Sequence, residues 1–420
     1  MNILVLGGGG REHALVWAFS QNPKCDALFA APGNAGIAAI AECVELDPCD
    51  SERVVEFCDA QSIDFVVVGP EAPLVAGVAD ALRDAGILTF GPSAAAAELE
   101  ASKAFTKEIC AAVGAPTAAH ATFDDLASAE AYLAEAGAPI VVKADGLAAG
   151  KGVTVAETME EAQAALTQLF AEPGARVVLE EMLRGEEASL FVLADGDTIL
   201  PIGSAQDHKR IGEGDRGPNT GGMGAYGPAP VLTPGIEARA IAEIVAPVVA
   251  EMARRGCPYQ GVLYAGLMIE DGVPRLIEFN ARFGDPEAQV LVMRLGAQLL
   301  DLCLATARGE LAETSVTWAD DHALCVVMAA RGYPGSYASG EAIGGLDTAE
   351  EPGVRVFHAG TKRVDGTIRS AGGRVLSITG RAPTLAAARD RAYEAVDRIH
   401  WPGGVCRRDI GWRALGKDAG

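Results

Sequence analysis

Residues 139–156 read Pro139-Ile-Val-Val-Lys143-Ala-Asp145-Gly-Leu-Ala-Ala-Gly150-Lys151-Gly152-Val-Thr-Val-Ala156, and the way this run folds decides what kind of protein the chain is. A short apolar run ends in a lysine, a loop of glycine and alanine follows, and a second apolar run closes it. A buried strand with a lysine near its end has an anion to neutralise, because an unpaired lysine inside a protein is costly. Successive backbone N–H groups of such a loop can lie over a polyphosphate. The loop is not a P-loop, which would need Gly at 145 and Ser or Thr at 152, where this chain has Asp145 and Gly152. The next segment is also a strand, so the loop covers its ligand as a hairpin does. The alternative is an ordinary glycine hairpin, and the lysines that bracket the loop speak against it.

Further along, Glu278-Phe-Asn280-Ala-Arg282-Phe-Gly-Asp285-Pro-Glu287 follows the strand-like Val273-Pro-Arg-Leu-Ile. Residues two apart on a strand share a side, so Glu278 and Asn280 project together, a carboxylate beside an amide carbonyl, both hard ligands suited to Mg²⁺. Arg282 joins that face if the strand continues so far. Taken alone, the stretch reads equally as a solvated charge pair at a strand end.

Between these segments, Val177 to Leu193 reads as strand, polar turn and strand, with extended backbone at Glu180–Leu183 that can meet an adenine edge and Glu187 placed to accept from ribose hydroxyls. The stretch 206–226 is long and glycine-rich, and loops of that length in compact domains are functional or mobile. It gathers positive charge at Lys209, Arg210 and Arg216 in a chain of net charge −23, and it holds His208, read as a hydrogen-bonding or surface group. Upstream, Ser102 is a helix cap ahead of Lys103, and 123–133 reads as helix.

The N-terminus runs Asn2–Leu6 into four glycines, 7–10, and then Arg11-Glu12-His-Ala: strand, glycine turn, helix. A dinucleotide fingerprint fails, because Glu12 stands where its third glycine belongs and no acidic residue ends the next strand. A phosphate or small-ligand loop is the better reading. Further apolar strands at Phe65–Val68 and 87–90, alternating with alanine-rich helical runs, predict a parallel α/β sheet whose loops at Gly7–Gly10 and at Gly69–Pro73 border one crevice. Glu71 there recognises an amine or sugar hydroxyls, or caps a helix. The end of the chain is β-rich, with strands near 323–329, 354–360 and 373–380 and a helix over 384–399 whose apolar face runs through Leu385, Ala388, Ala392 and Val396. Residues after Leu415 are expected to fray.

A length of 420 residues implies several domains, and the acidic balance excludes nucleic-acid and anionic-membrane partners. Nine scattered cysteines without Cys-x-x-Cys pairs predict free thiols, and a start without a basic n-region predicts a soluble cytoplasmic protein.

With these pieces in order the chain resembles the ATP-grasp ligases, and within them the glycinamide ribonucleotide synthetase family. The resemblance rests on Gly-Gly-Arg-Glu-His-Ala at 9–14, Ala-Pro-Gly-Asn-Ala-Gly at 31–36, Val-Gly-Pro-Glu-Ala-Pro-Leu at 68–74 and the run 143–153. It continues through Gln-Asp-His-Lys-Arg at 206–210, Pro-Asn-Thr-Gly-Gly-Met-Gly-Ala-Tyr at 218–226 and Arg-Phe-Gly-Asp-Pro-Glu at 282–287. It implies an α/β and α+β multidomain fold: a Rossmann-like substrate domain (1–101), a two-lobed ATP-grasp core (102–325, mobile lid about 121–190) and a small β-rich C-terminal domain (326–420). It implies ATP as co-substrate with Mg²⁺ or Mn²⁺, and ligation of glycine to 5-phosphoribosylamine through a glycyl phosphate by a cytoplasmic monomer.

By the same resemblance Lys103 and Lys143 contact the nucleotide, Lys143 at a phosphate, the 146–152 loop with Gly150, Lys151 and Gly152 closes over the phosphates, the backbone around Glu180 and Leu183 meets the adenine, Glu187 the ribose, and Glu278 and Asn280 the metal. Arg282 and Lys209 are the expected catalytic groups. Gly8, Gly9, Gly10, Glu12, Pro70, Glu71, Asp207, Arg282 and Asp285 are expected to hold the substrates. Three small departures from the family pattern, Ala281, Ala288 and Gly227, fall on no expected ligand. A different ATP-grasp carboxylate–amine ligase is the nearest alternative; an NAD dehydrogenase and a nucleotide sensor without catalysis are more distant ones.

Overall fold

In the computed structural model, which describes residues 1–147 and 152–416, the wholly buried run Ile3–Leu6 forms the centre of a parallel five-stranded sheet. Its strands lie in the order Glu42–Cys43, Ala27–Pro32, Asn2–Gly7, Phe65–Val68, Leu88–Phe90. All pairings are parallel, so helices cover both faces and the strands read as continuous apolar runs. The order reverses between Asn2–Gly7 and Phe65–Val68, and the two predicted loops meet at that point. Their approach is close: a Cβ on Gly69 would sit 2.4 Å from Glu12 Oε1 and 2.7 Å from the Leu6 carbonyl oxygen.

A separate four-stranded antiparallel sheet, ordered His120–Phe123, Val177–Glu181, Ile140–Ala144, Val153–Ala156, carries helices Leu126–Ala136 and Met159–Leu169 over its own small core. The two strands of the run 139–156 pair as a hairpin does, with Lys143 opposite Val153, and residues 148–151 between them lie outside the described residues. Phe123, expected in a helix, ends a strand instead; the helix waits for Asp125, whose side chain accepts from the Ser128 N–H.

The third sheet has nine strands and is antiparallel, running Val273–Asn280, Gln260–Glu270, Glu186–Asp195, Ile199–Asp207, Gly224–Gly227, His322–Ala330, Arg374–Ala382, Val354–His358, with Gly404–Val405 paired beside His322–Ala330. Glu186–Asp195 therefore belongs to this sheet, whereas the lid was expected to reach 190. His322–Ala330 likewise runs across the boundary expected at 326, because it pairs directly with Gly224–Gly227. The C-terminal helix is Leu385–Arg398, capped by Thr384, and it buries Leu385, Ala388, Ala392 and Val396 as predicted.

The stretch 206–226 is not a loop. Most of it is paired: Arg210–Gly212 with Arg216–Asn219 as a ribbon, and Gly224–Gly227 inside the large sheet. All nine cysteines are free thiols. Among the described residues no single helix is long and apolar enough to cross a membrane. The expectation of fraying after Leu415 falls mainly on 417–420, outside the described residues.

Candidate active site

A cavity of about 660 Å³ is walled on one side by the four-stranded lobe and on the other by the large sheet. Lys143, at the end of Ile140–Ala144, points into it and donates to Glu180 Oε2 at 2.9 Å. Lys107 Nζ lies 3.2 Å from the same oxygen, and all three side chains are buried. Two ammonium groups thus share one carboxylate oxygen, while Glu180 Oε1 is buried without a hydrogen-bond partner among the described residues. Ser102 caps helix Lys103–Val113 through the Phe105 N–H, as expected. Lys103 donates from Nζ to the Gly146 carbonyl at 2.9 Å, and Asp145 accepts from the Lys103 and Ala104 N–H groups at 2.6 and 3.2 Å, tying the start of the glycine loop to that helix. Burial pulls the Lys103 ammonium below the usual lysine range against the opposing pull of Glu278. Gly152 and Leu183 also line the cavity. Gly150 and Lys151 lie outside the described residues.

Glu278 and Asn280 both reach the cavity from one strand, as the period-two reading requires. Burial opposes the charge of Glu278, but Lys209, Lys143, Lys103 and Arg282 overrule it and hold the carboxyl below its usual range. Among the described residues no group of three His, Cys, Asp or Glu side chains is placed to hold a metal ion. An ionised carboxylate and an amide oxygen are nonetheless a hard-oxygen pair that fits a divalent cation taking its other ligands from phosphate and water.

Arg282 lies just past the strand end, and its fork is already engaged. Nη2 donates to Asn280 Oδ1 at 3.0 Å and lies 2.8 Å from Glu100 Oε1, and Nε lies 3.3 Å from Glu71 Oε2. That Nε is buried and, among the described residues, has no acceptor in hydrogen-bonding geometry. Burial resists ionisation of Glu71, and Arg282 and Arg11 reverse this and depress it. Glu12 is not among the residues lining the cavity: it accepts from the Gly9 N–H at 2.6 Å and pairs with Arg11, so here it braces the glycine turn. Gly8 accepts from Asn34 at 2.9 Å, Gly10 begins helix Gly10–Ser20, and Pro70 precedes helix Glu71–Val75. Asp285 pairs with Arg374 at 3.1 Å and accepts from Gln289 at 2.8 Å. Burial opposes its charge, and Arg374 and Arg11 keep it low.

Lys209 ion-pairs with Glu187 at the cavity wall. Burial works against its charge, but Glu187 and Asp207 more than reverse this and hold it well above the usual lysine range. Asp207 is pushed up to about 8 by burial, with Lys209 opposing and Glu287 and Glu187 adding to the rise. The ribbon 210–219, which follows directly on Asp207 and Lys209, is braced from the far end of the chain. Buried Arg407 pairs with Asp215 at 2.9 Å and with Asp409 at 2.7 Å, Arg413 reaches Asp215 at 2.7 Å, and His208 Nε2 accepts from the Gly411 N–H at 3.0 Å. His208 is thus a wholly buried hydrogen-bonding group, its pKa lowered chiefly by burial.

Sequence reading missed Lys107, Glu100, Arg374 and Glu287, all of which line the cavity. Lys107 carried a usable signal, since it lies four residues after Lys103 on one helix face. Arg374 carried none, because its partners Gly222 and Asp285 come from elsewhere in the chain.

Three family models cover most of the chain: the phosphoribosylglycinamide synthetase N domain over 1–100, its ATP-grasp (A) domain over 101–288 and its C domain over 323–413. A phosphoribosylamine–glycine ligase of Mesorhizobium japonicum is 57% identical, spanning 100% of this chain and 99% of that protein. The chloroplastic phosphoribosylamine–glycine ligase of Arabidopsis thaliana is 55% identical, spanning 96% of this chain and 79% of that protein. The crystal structure of the Thermotoga maritima phosphoribosylamine–glycine ligase superposes with a TM-score of 0.86 at 31% identity, covering 98% of this chain and 100% of that one. The biotin carboxylase domain of a Hydrogenobacter thermophilus 2-oxoglutarate carboxylase, solved with MgADP and bicarbonate, has a TM-score of 0.72 at 19% identity over 96% of this chain and 91% of that one, which is a likeness of fold.

Proposed function

The chain belongs to the phosphoribosylglycinamide synthetase family, and from that membership we propose how its own residues carry the family's reaction. It is an ATP-dependent ligase that joins glycine to 5-phosphoribosylamine in purine biosynthesis, giving glycinamide ribonucleotide, ADP and phosphate. The observation that carries the assignment of residues is the convergence of Lys103, Lys143 and Lys209 on Glu278 in one cavity between the two lobes.

In this reading Lys103 and Lys143 neutralise the nucleotide phosphates, and the hairpin loop 146–152, including Gly150, Lys151 and Gly152, closes over them. The unpaired Glu180 Oε1 accepts from a donor on the base, the backbone at Leu183 meets its edge, and Glu187 serves the ribose. Glu278 and Asn280 hold Mg²⁺ or Mn²⁺, which supplies positive charge at the phosphate oxygens. Arg282 binds the glycine carboxylate and then the acyl phosphate, its planar fork suiting both, and Lys209 offsets the charge that develops beside it. Asp207, Asp285, Glu71 and the turns at Gly8–Glu12 and Pro70 place the two amines and the ribosyl phosphate. Glu12 acts through the turn that it braces.

A glycine carboxylate oxygen attacks the γ-phosphorus as the bond to ADP breaks. The amine nitrogen of phosphoribosylamine then attacks the acyl carbon, phosphate leaves, and the nitrogen gives up a proton. No covalent bond to the protein forms, so catalysis is positioning and charge neutralisation.

We retain the division into 1–101, a core and a C-terminal unit, with the last beginning at His322 so that its first strand stays whole. A cytoplasmic monomer without nucleic-acid or membrane partners is part of the same proposal, supported by the net charge of −23 and the free thiols. The test is ADP release that needs glycine and phosphoribosylamine together. Folded protein that releases none refutes the reading, and a preference for another acid or amine selects a different ATP-grasp ligase.

A further inference from the structure

Glu100 occupies the last turn of helix Ala94–Ala101, one residue before the segment that caps the nucleotide-side helix. Its side chain is 8% exposed, and both oxygens are committed to the same short stretch: Oε2 accepts from the Ala281 N–H at 2.7 Å and Oε1 lies 2.8 Å from Arg282 Nη2. Glu71 holds Arg282 differently. It is 28% exposed and makes one 3.3 Å contact to a nitrogen that it does not satisfy as a hydrogen-bond acceptor. One carboxylate is therefore built into the arginine's seat, and the other rests against the edge that still lacks an acceptor.

We propose that Glu100 is the positioning residue for Arg282, fixing the guanidinium from behind so that its Nε edge is presented to the glycine carboxylate in exchange for Glu71. The proposal rests on the reading of Arg282 given above. It also accounts for the chain path. Glu100 and Lys103 sit on one bent stretch, so the spacing between the lysine that meets phosphate and the arginine that meets the carboxylate is set by three residues of backbone, with Ser102 capping the bend. An arginine without this anchor can still find Glu71 for its charge, but its fork is no longer held at one angle. A small misplacement of a reacting group costs rate far more than it costs stability.

The test uses the full chain, with phosphoribosylamine generated in place from ribose 5-phosphate and ammonia. kcat and the KM values for glycine and ATP are measured for the wild type, Glu100→Gln, Glu100→Asp, Arg282→Ala and the Glu100→Gln/Arg282→Ala double variant, with Tm recorded for each. Glu100→Gln keeps size and one acceptor, so the fold should hold. The expected result is a loss in kcat on the order of 10- to 100-fold with a raised glycine KM and an unchanged ATP KM, partial recovery in Glu100→Asp, and a double variant no slower than Arg282→Ala alone. Wild-type kcat in Glu100→Gln beside a crippled Arg282→Ala overturns the positioning role, as do losses that multiply in the double variant. Wild-type turnover in Arg282→Ala overturns the reading of Arg282 and this proposal with it.

Discussion

The backbone N–H of His358 donates to Nδ1 of His13 at 2.7 Å, joining the first helix of the N-terminal sheet to a strand of the C-terminal unit. The acceptor nitrogen must be unprotonated for this bond. Burial first, and His358 second, lower the His13 pKa from 6.5 to about 3. The unfolded chain takes up this proton near pH 6.5 and the folded one does not, so the contribution is fully present above pH 6.5. It is lost as pH falls towards 3, at about 1.4 kcal/mol per pH unit. His13→Asn, which keeps an acceptor but cannot titrate, should show a flatter decline of Tm between pH 6.5 and 4.5 than the wild type. Parallel declines would exclude His13 from the acid response.

Removal of Glu180 should be among the most damaging single changes. Glu180→Ala leaves the buried ammonium groups of Lys107 and Lys143 facing each other without their shared carboxylate. A loss of roughly 3–5 kcal/mol follows from breaking a buried ion pair on one side, read as a lowered denaturant midpoint. A midpoint within experimental error of the wild type would mean that both lysines find other partners.

Glu278→Ala should leave the fold intact and reduce turnover by at least roughly 100-fold. The residual activity should require a higher concentration of Mg²⁺ or Mn²⁺, and chelation should abolish it. An unchanged metal titration would remove Glu278 from the metal site.

Arg407→Met tests whether the C-terminal segment serves the cavity from a distance. It strips Asp215 and Asp409 of their buried partner and should cost roughly 3 kcal/mol. Amides over 207–220 should exchange faster and kcat/KM should fall, because Lys209 sits at the foot of the ribbon that Arg407 braces. Unaltered exchange in that ribbon would show the brace to be dispensable.

Sequence patterns exposed those parts of the architecture in which local chemistry and tertiary role agree. The runs Ile3–Leu6 and Phe65–Val68 are buried on both faces and look so; Ser102 and Thr384 cap helices by short-range bonds that any chain could make. Glu278 and Asn280 were legible because strand geometry alone sets their common side. The ribbon in 206–226 was not, since its order comes from Arg407 and Arg413, about two hundred residues away. Nor was the engagement of Arg282, whose partners Glu71 and Glu100 belong to the N-terminal region. Glu12, expected by resemblance to hold substrate, makes bonds that are local, to the Gly9 N–H three residues back and to Arg11, and a capping-box reading of 9–12 would have offered them.

The continuous nine-stranded sheet also determines how the chain can be cut. Gly224–Gly227 is fully buried and hydrogen-bonds to Ile199–Asp207 on one flank and His322–Ala330 on the other. A chain ended before residue 322 would bare the second flank as an open strand edge, apolar and without a charge of its own, the kind of surface that recruits a strand from another molecule. The N-terminal and core regions expressed without the remainder should therefore self-associate, and the C-terminal unit acts as the cover that keeps the sheet from growing.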